Sequence, residues 1–249
     1  MRAAIAGTAT LALMLATLGA CVANTSTSPA SGGGASLASA VADPLRPAAD
    51  TARDVTRKPA EIVAFAGVEP GDVVAEIAPG GGYFTRILAR AVGPQGKVYA
   101  LVPPFFANRP GGLDAINALA AQYGNVEVVV ADYASLALPQ PVDLVWTTEN
   151  YHDLANNDMA PINGALFRAL KPGGIYYVQD HSAPGTGLTA MRTLHRIDPE
   201  AVKQQVSQAG FVLEAESDLL HNPADTHEIA PGEVAGGSDR FALRFRKPG

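Results

Sequence analysis

The densest run of side chains able to do chemistry is Thr147-Thr148-Glu149-Asn150-Tyr151-His152-Asp153, which closes the apolar segment that begins at Val142. Asp180-His181 stands in the same way after the apolar segment 175–179, and His195 follows the loop Gly185-Thr186-Gly187 and precedes Arg196 and Asp198. Histidine titrates near neutrality, and a neighbouring carboxylate fixes its tautomer and raises its basicity. His152 is therefore the first candidate for a general base acting on a hydroxyl or amine, with Asp153 or Asp180 orienting it, and His181 is the second. A buried, hydrogen-bonded structural histidine is the alternative for each. Asn150, Tyr151 and His195 are read as lining a substrate mouth, and Asp198 either joins them or caps the next helix. The spacing of His152, His181 and His195 is irregular and carries no zinc signature, so no metal site is expected. His221 and His227 lie in a long loop and read as surface residues.

A second chemical motif precedes that edge. In Glu76-Ile77-Ala78-Pro79-Gly80-Gly81-Gly82-Tyr83 an apolar run ends in an acid, a turn of glycines follows, and a helix starts. Glycines let backbone approach a ligand closely, and a helix N-terminus offers free N–H groups. A nucleotide site in an open α/β sheet begins in this way. The alternative is a tight turn that serves only close helix–strand packing.

These residues need a sheet to bring them together. Apolar periodicity and turn signals predict strands over 73–78, 97–102, 126–131, 142–147, 175–179, 211–216 and 241–246. The segment 126–131 is almost continuously apolar, as for a strand buried on both faces. Helices are expected within 48–66, interrupted at Pro59, and over 83–91, 113–123, 159–170 and 199–209. The fourth of these is stopped by Lys171-Pro172-Gly173-Gly174. The last two strands have no helix between them and read as an antiparallel pair. In an open α/β sheet ligands sit outside the carboxyl ends of the strands, where 147–153 and Asp180-His181 fall.

Five βα units and a late hairpin resemble the class I S-adenosylmethionine-dependent methyltransferases, over about 73–247. The resemblance implies an α/β, Rossmann-like seven-stranded sheet, mostly parallel with a late antiparallel hairpin. More narrowly, the chain is similar to a bacterial group of predicted methyltransferases. That likeness rests on Arg53-Asp54 with Arg57-Lys58-Pro59-Ala60-Glu61, on Pro79-Gly80-Gly81-Gly82-Tyr83, on Asn150-Tyr151-His152-Asp153-Leu154 and on Leu194-His195-Arg196-Ile197-Asp198. S-adenosyl-L-methionine is the implied cofactor. Its methionine end is assigned to Glu76, Ala78, Gly80, Gly81 and Gly82, with Ala78 standing where a glycine is common. Asp132 and Tyr133 are assigned to its adenosyl end, although Asp132 alternatively caps a turn. The family's ribose-binding acid is missing: its place falls near Val102, and no Asp or Glu occurs between Glu76 and Asp114. Asn108 is one substitute for it. The gap also counts against a nicotinamide dinucleotide, whose ribose wants an acid about 20 residues past the glycines.

The chain has 249 residues and a formal charge of −6, so bulk electrostatics give no reason to expect nucleic acid as a partner. Arg2, an apolar stretch and Leu18-Gly19-Ala20-Cys21 resemble a bacterial lipoprotein signal, with Cys21 the one cysteine. That resemblance implies cleavage before Cys21, lipidation there, and a membrane anchor on the periplasmic side of the envelope, with Val22 leaning toward the outer membrane. The expected organisation is a signal peptide over 1–20, a Ser-, Ala- and Gly-rich flexible tether over 21–45, and a methyltransferase-like domain over 46–249. Two functions follow. One is a methyltransferase acting on a small-molecule hydroxyl or amine. The other is a non-catalytic periplasmic binding module on the same fold, favoured by the export signal and the missing acid.

Overall fold

Seven strands form one sheet: β1 (Val73–Ile77), β2 (Lys97–Val102), β3 (Val126–Val130), β4 (Val142–Thr148), β5 (Leu170–His181), β6 (Val212–Ser217) and β7 (Arg240–Arg246). The computed structural model describes residues 32–249 together with residues 1, 3 and 4, so Cys21 and its neighbours lie outside the described residues. The spatial order is β3-β2-β1-β4-β5-β7-β6. β1 pairs in parallel with β2 and β4, β2 with β3, and β4 with β5, while β7 runs antiparallel between β5 and β6. From β1 the chain first builds outward through β2 and β3, then returns to start β4 on the other side of β1. The crevice between the carboxyl ends of β1 and β4 is therefore the switch point where such sheets bind ligands.

Eleven helices accompany the sheet among the described residues: α1 (Gly32–Val41), α2 (Ala48–Thr51), α3 (Asp54–Arg57), α4 (Pro59–Ala66), α5 (Tyr83–Val92), α6 (Pro104–Ala107), α7 (Asp114–Tyr123), α8 (Tyr151–Leu154), α9 (Met159–Ala169), α10 (Met191–Leu194) and α11 (Pro199–Gln208). Successive strand residues point to opposite faces. Leu144, Trp146 and Tyr177 accordingly join Ile87 and Leu88 of α5 in one core, while Val145, Tyr176 and Val178 join Leu166 of α9 and Val202 of α11 in the other. Asp158 and Asp198 cap α9 and α11 through the N–H groups of Ala160 and Glu200, each at 3.0 Å. Asp198 thus takes the capping role of its two expected ones.

Three differences from the sequence reading have physical causes. The segment read as tether contains α1, which packs on α4 and α5 with Ala40 fully enclosed. Asp43 then takes hydrogen bonds from Arg90 Nε at 2.7 Å and Tyr123 Oη at 2.9 Å. The compact unit therefore begins at Gly32 and not at residue 46. Apolar content misjudged this stretch because small residues pack through close approach and not through large side chains. β3 is an edge strand, half-buried, with Val130 exposed, and is not covered on both faces. Its apolar sequence carries no information about sheet position. The 48–66 region forms three short helices, the last two separated by Lys58, which adopts a left-handed φ of 44° ahead of Pro59.

Candidate active site

The turn after β1 is held in shape by Tyr133. Its hydroxyl donates to the Leu101 carbonyl at 2.8 Å and accepts from the Ala78 N–H at 3.1 Å, and burial pushes the phenol's pKa up. Tyr133 is buried and lines neither of the clefts described below; what its geometry displays is support of the turn. Ala78 has φ 50°, a left-handed conformation that costs a side-chain-bearing residue ~1–2 kcal/mol. The alanine is therefore not the mild replacement for glycine that side-chain size suggests. A Cβ on Gly82 would come within 2.3 Å of Leu119 Cδ1, so that glycine serves packing. A Cβ on Gly80 or Gly81 would meet no heavy atom within 4 Å. What those two glycines leave free is cleft.

Two clefts meet at this turn, sharing Ala78, Pro79, Gly80 and Asn150 as a common wall. The larger, about 340 Å³, is mostly apolar and lined by Val102, Pro103, Phe106 and Ile116, with Asp153 also on its wall. The smaller, about 230 Å³, is polar and holds Glu76, Glu149, Arg53, Arg57 and Tyr83. Glu76 is 2% exposed, its Oε2 has no hydrogen-bond partner, and burial pushes its pKa up to about 7. Asn150 donates to the carbonyls of Ile77 and Thr148, each at 3.0 Å, and leaves Oδ1 buried without a partner. Glu149 (φ 54°) pairs with Arg57 and, at 2.8 Å, with Arg240. Burial would raise its pKa, but Arg57, His181 and Arg240 hold it below the usual range. Arg57 and Arg53 stack over the Tyr83 ring at 4.7 and 5.2 Å, and Asp54 ties Arg46 to the Tyr83 hydroxyl.

Arg53, Arg57, Tyr83 and Glu149 are site residues to which the sequence reading assigned no role. The available signal is Arg53-Asp54 with Arg57-Lys58-Pro59-Ala60-Glu61, part of the family likeness, whose charges carry no chemistry until the fold brings them to Glu149 and Tyr83. Conversely, Asp132 is exposed and caps the short turn 133–135, accepting from Ala134 N at 3.1 Å and Ser135 Oγ at 3.3 Å. It lines neither cleft, so its capping alternative is the one the geometry displays. Asn108 is exposed and also outside both, while Val102 and Pro103 occupy the place of the missing acid.

The histidine edge is built around Asp180, which is fully buried at the end of β5. Its carboxylate accepts from the backbone N–H groups of His152 at 2.8 Å and His181 at 2.7 Å, and Oδ1 lies 2.8 Å from His152 Nδ1. Asp180 is thus the orienting group for His152. Burial works hardest against the charged imidazole, but the bond to Asp180 together with the charges of Asp180, Asp153 and Glu149 raises the His152 pKa. The ring is buried and does not itself line the cleft; Nε2 faces Asp153 Oδ1 at 3.6 Å, and Asp153 does line it. His181 turns away to Ser238 Oγ at 2.7 Å, and burial lowers its pKa. Tyr151 is core, not substrate wall: it is fully buried and bonded to Asn163 and Gln205. His195 is exposed and reaches Asp153 Oδ1 with Nδ1 at 3.6 Å. His221 and His227 both bind the Asp239 carboxylate, at 2.9 Å each, and the Asp239 carbonyl in turn accepts from the Ser182 N–H.

Sheet order, the switch-point crevice and the glycine cradle define the architecture of the class I methyltransferases. Residues 74–174 match a family model described as a methyltransferase domain. The chain is 33% identical over 129 residues to a ubiquinone/menaquinone biosynthesis C-methyltransferase of Ectopseudomonas mendocina (strain ymp), covering 51% of this chain and 49% of that one. It is 31% identical over 129 residues to a protein-L-isoaspartate O-methyltransferase of Ignicoccus hospitalis (strain KIN4/I / DSM 18386 / JCM 14125), covering 51% and 55%. The chain thus spans about half the length of these curated relatives. Among solved structures, an S-adenosylmethionine-dependent methyltransferase from Aquifex aeolicus superposes with a TM-score of 0.58 at 19% identity, covering 79% of this chain and 93% of that one.

Proposed function

We propose that this chain binds S-adenosyl-L-methionine across the carboxyl ends of β1 and β4 and transfers its methyl group to a small-molecule hydroxyl or amine. One observation carries the reading: Glu76 is buried with an unpartnered oxygen, beside two glycines whose missing side chains leave the cleft open. A buried carboxylate with an unpaired oxygen is costly, and a cationic ligand group removes the cost. The polar compartment offers Glu76 to an ammonium and the Arg53 guanidinium to a carboxylate, which suits the amino-acid end of this cofactor. Val102, Pro103, Phe106 and Ile116 suit a flat aromatic base.

When bound, the cofactor supplies an electrophilic methyl carbon on a sulfonium. The chain then has to place a nucleophile in line and remove its proton. Asn150 stands between the two compartments, and its free Oδ1 is a ready acceptor there. Asp153 lines the apolar compartment and stands 3.6 Å from His152 Nε2, whose other ring nitrogen is held by Asp180, and those three hold and deprotonate the acceptor. Titration calorimetry with the cofactor and its demethylated product tests the reading. Wild-type protein giving no heat at millimolar ligand would favour a non-catalytic binding module, the outcome to which the absent acid after β2 leans. The envelope anchor belongs to the same proposal: Leu18-Gly19-Ala20-Cys21 supports lipidation at Cys21. Mass spectrometry of membrane-extracted protein should find an acylated N-terminal cysteine, and an unmodified Met1 on soluble protein would contradict it.

A further inference from the structure

We propose that His152, Asp153 and His195 bind a divalent transition-metal ion at the edge of the apolar cleft, where the ion takes the oxygen of the methyl acceptor. Its second half rests on the methyltransferase reading; the metal site itself does not.

The three side chains offer one ligand atom each, and these atoms lie within 4.8 Å of one another. Nε2 of His152 and Nδ1 of His195 are each 3.6 Å from Asp153 Oδ1. That is too long for a hydrogen bond. It is close to the roughly 3.0–3.5 Å that separates neighbouring ligand atoms around an ion with bonds of about 2.0–2.2 Å. Among the described residues, the Asp153 carboxylate and the His195 ring have no hydrogen-bonding side-chain partner, so their lone pairs are available.

The arrangement behind the cluster is that of a metal ligand. Asp180 takes the Nδ1 side of the His152 ring at 2.8 Å and is itself fixed by two backbone N–H groups, which leaves Nε2 as the acceptor aimed at Asp153. A carboxylate bound to the distal nitrogen is the usual support of a ligating histidine. His195 reaches the cluster from a different segment, as the left-handed C-cap of α10. Two histidines and one carboxylate are a donor set for Zn²⁺, Fe²⁺ or Ni²⁺ that leaves coordination positions open. Because Asp153 lines the cleft that also includes Asn150, an ion beside it opens onto the cavity next to the residue shared by both compartments.

The ion's chemical role is to lower the pKa of a bound hydroxyl. The acceptor's proton passes to solvent, its oxygen bonds to the methyl carbon, and the electron pair of the broken carbon–sulfur bond stays on sulfur, which becomes a neutral thioether. With the ion bound, His152 acts as its ligand, and the ion replaces the direct proton removal that the Asp153–His152–Asp180 group performs in the metal-free reading.

Zn²⁺ titration of metal-stripped full-length protein, followed by calorimetry without cofactor, tests this. One equivalent should bind with micromolar or tighter affinity. His195→Ala, at an exposed position that leaves the core intact, should weaken binding at least 10-fold. Asp180→Asn should weaken it ~10–100-fold, the usual size of a lost supporting carboxylate. His221→Ala should change nothing. Absence of binding at millimolar Zn²⁺, or binding that survives both His195→Ala and Asp180→Asn, would overturn the site. Zinc binding without cofactor binding would leave the metal site standing and remove the methyltransferase reading. Cofactor binding without zinc binding would do the reverse.

Discussion

Replacing Glu76 with glutamine should make the free protein more stable and the cofactor site useless. In the unfolded chain this carboxyl ionises near 4.5, and in the folded chain burial moves it to about 7. Between those values the folded chain keeps a proton that the unfolded chain has lost, so stability falls as pH rises through that window, and the loss is complete above it. The gap from 4.5 to about 7, at about 1.4 kcal/mol per pH unit, amounts to about 3 kcal/mol. Glu76→Gln removes that penalty. Urea denaturation at pH 8 should place the variant up to about 3 kcal/mol above wild type, and the difference should vanish near pH 4. The cofactor's ammonium relieves the same penalty by pairing with the carboxylate, so wild-type binding should expel a proton. Affinity should then fall about tenfold per pH unit below 7, or ~100-fold between pH 8 and pH 5. The variant should show weak and pH-independent binding. Equal stability of the two proteins at pH 8, or a wild-type affinity that is flat from pH 5 to 8, would refute the account of Glu76 as a buried acid with an unpaired oxygen awaiting a cation.

Other substitutions separate cradle, support and strain. Gly81→Val should fold normally, because Gly81 is not left-handed and its Cβ meets open space. It should lose ~10–100-fold in cofactor affinity, the equivalent of ~1–3 kcal/mol of steric overlap, read by calorimetry. Asp180→Asn puts an amide where three N–H groups now converge, so one donor is left facing another. Guanidinium denaturation should show a loss of ~1–3 kcal/mol, while cofactor affinity stays unchanged. Ala78→Gly relieves a left-handed alanine at the cost of a more flexible unfolded chain, and a net gain of ~0.5–1 kcal/mol is expected in the same assay.

What the sequence discloses is mostly local. β1, the glycine turn and α5 are legible because apolar alternation, punctuation and helix start coincide within 73–92. His152 with Asp180 is legible because both follow apolar runs, which places them at one sheet edge. The rest depends on approach between distant segments. Glu149 meets Arg57 from 92 residues away and Arg240 from 91, and nothing in either neighbourhood signals the pairing. Asp132 has the type and position of a ligand acid, but its carboxylate is spent on the next turn. Tyr151 sits in a polar run, yet the one-turn helix α8 points it into the core while Asp153 stays at the cleft. Apolar β3 cannot reveal from its own residues that no strand lies beyond it.

The central claim is that the crevice between β1 and β4 holds S-adenosyl-L-methionine. Isothermal titration of protein lacking residues 1–20 with the cofactor at pH 8 tests it most directly. One site should bind, with proton release traceable to Glu76 by comparing buffers of different ionisation enthalpy, and Gly81→Val should abolish most of the signal. No heat at millimolar cofactor, or binding that Gly81→Val leaves intact, would contradict it.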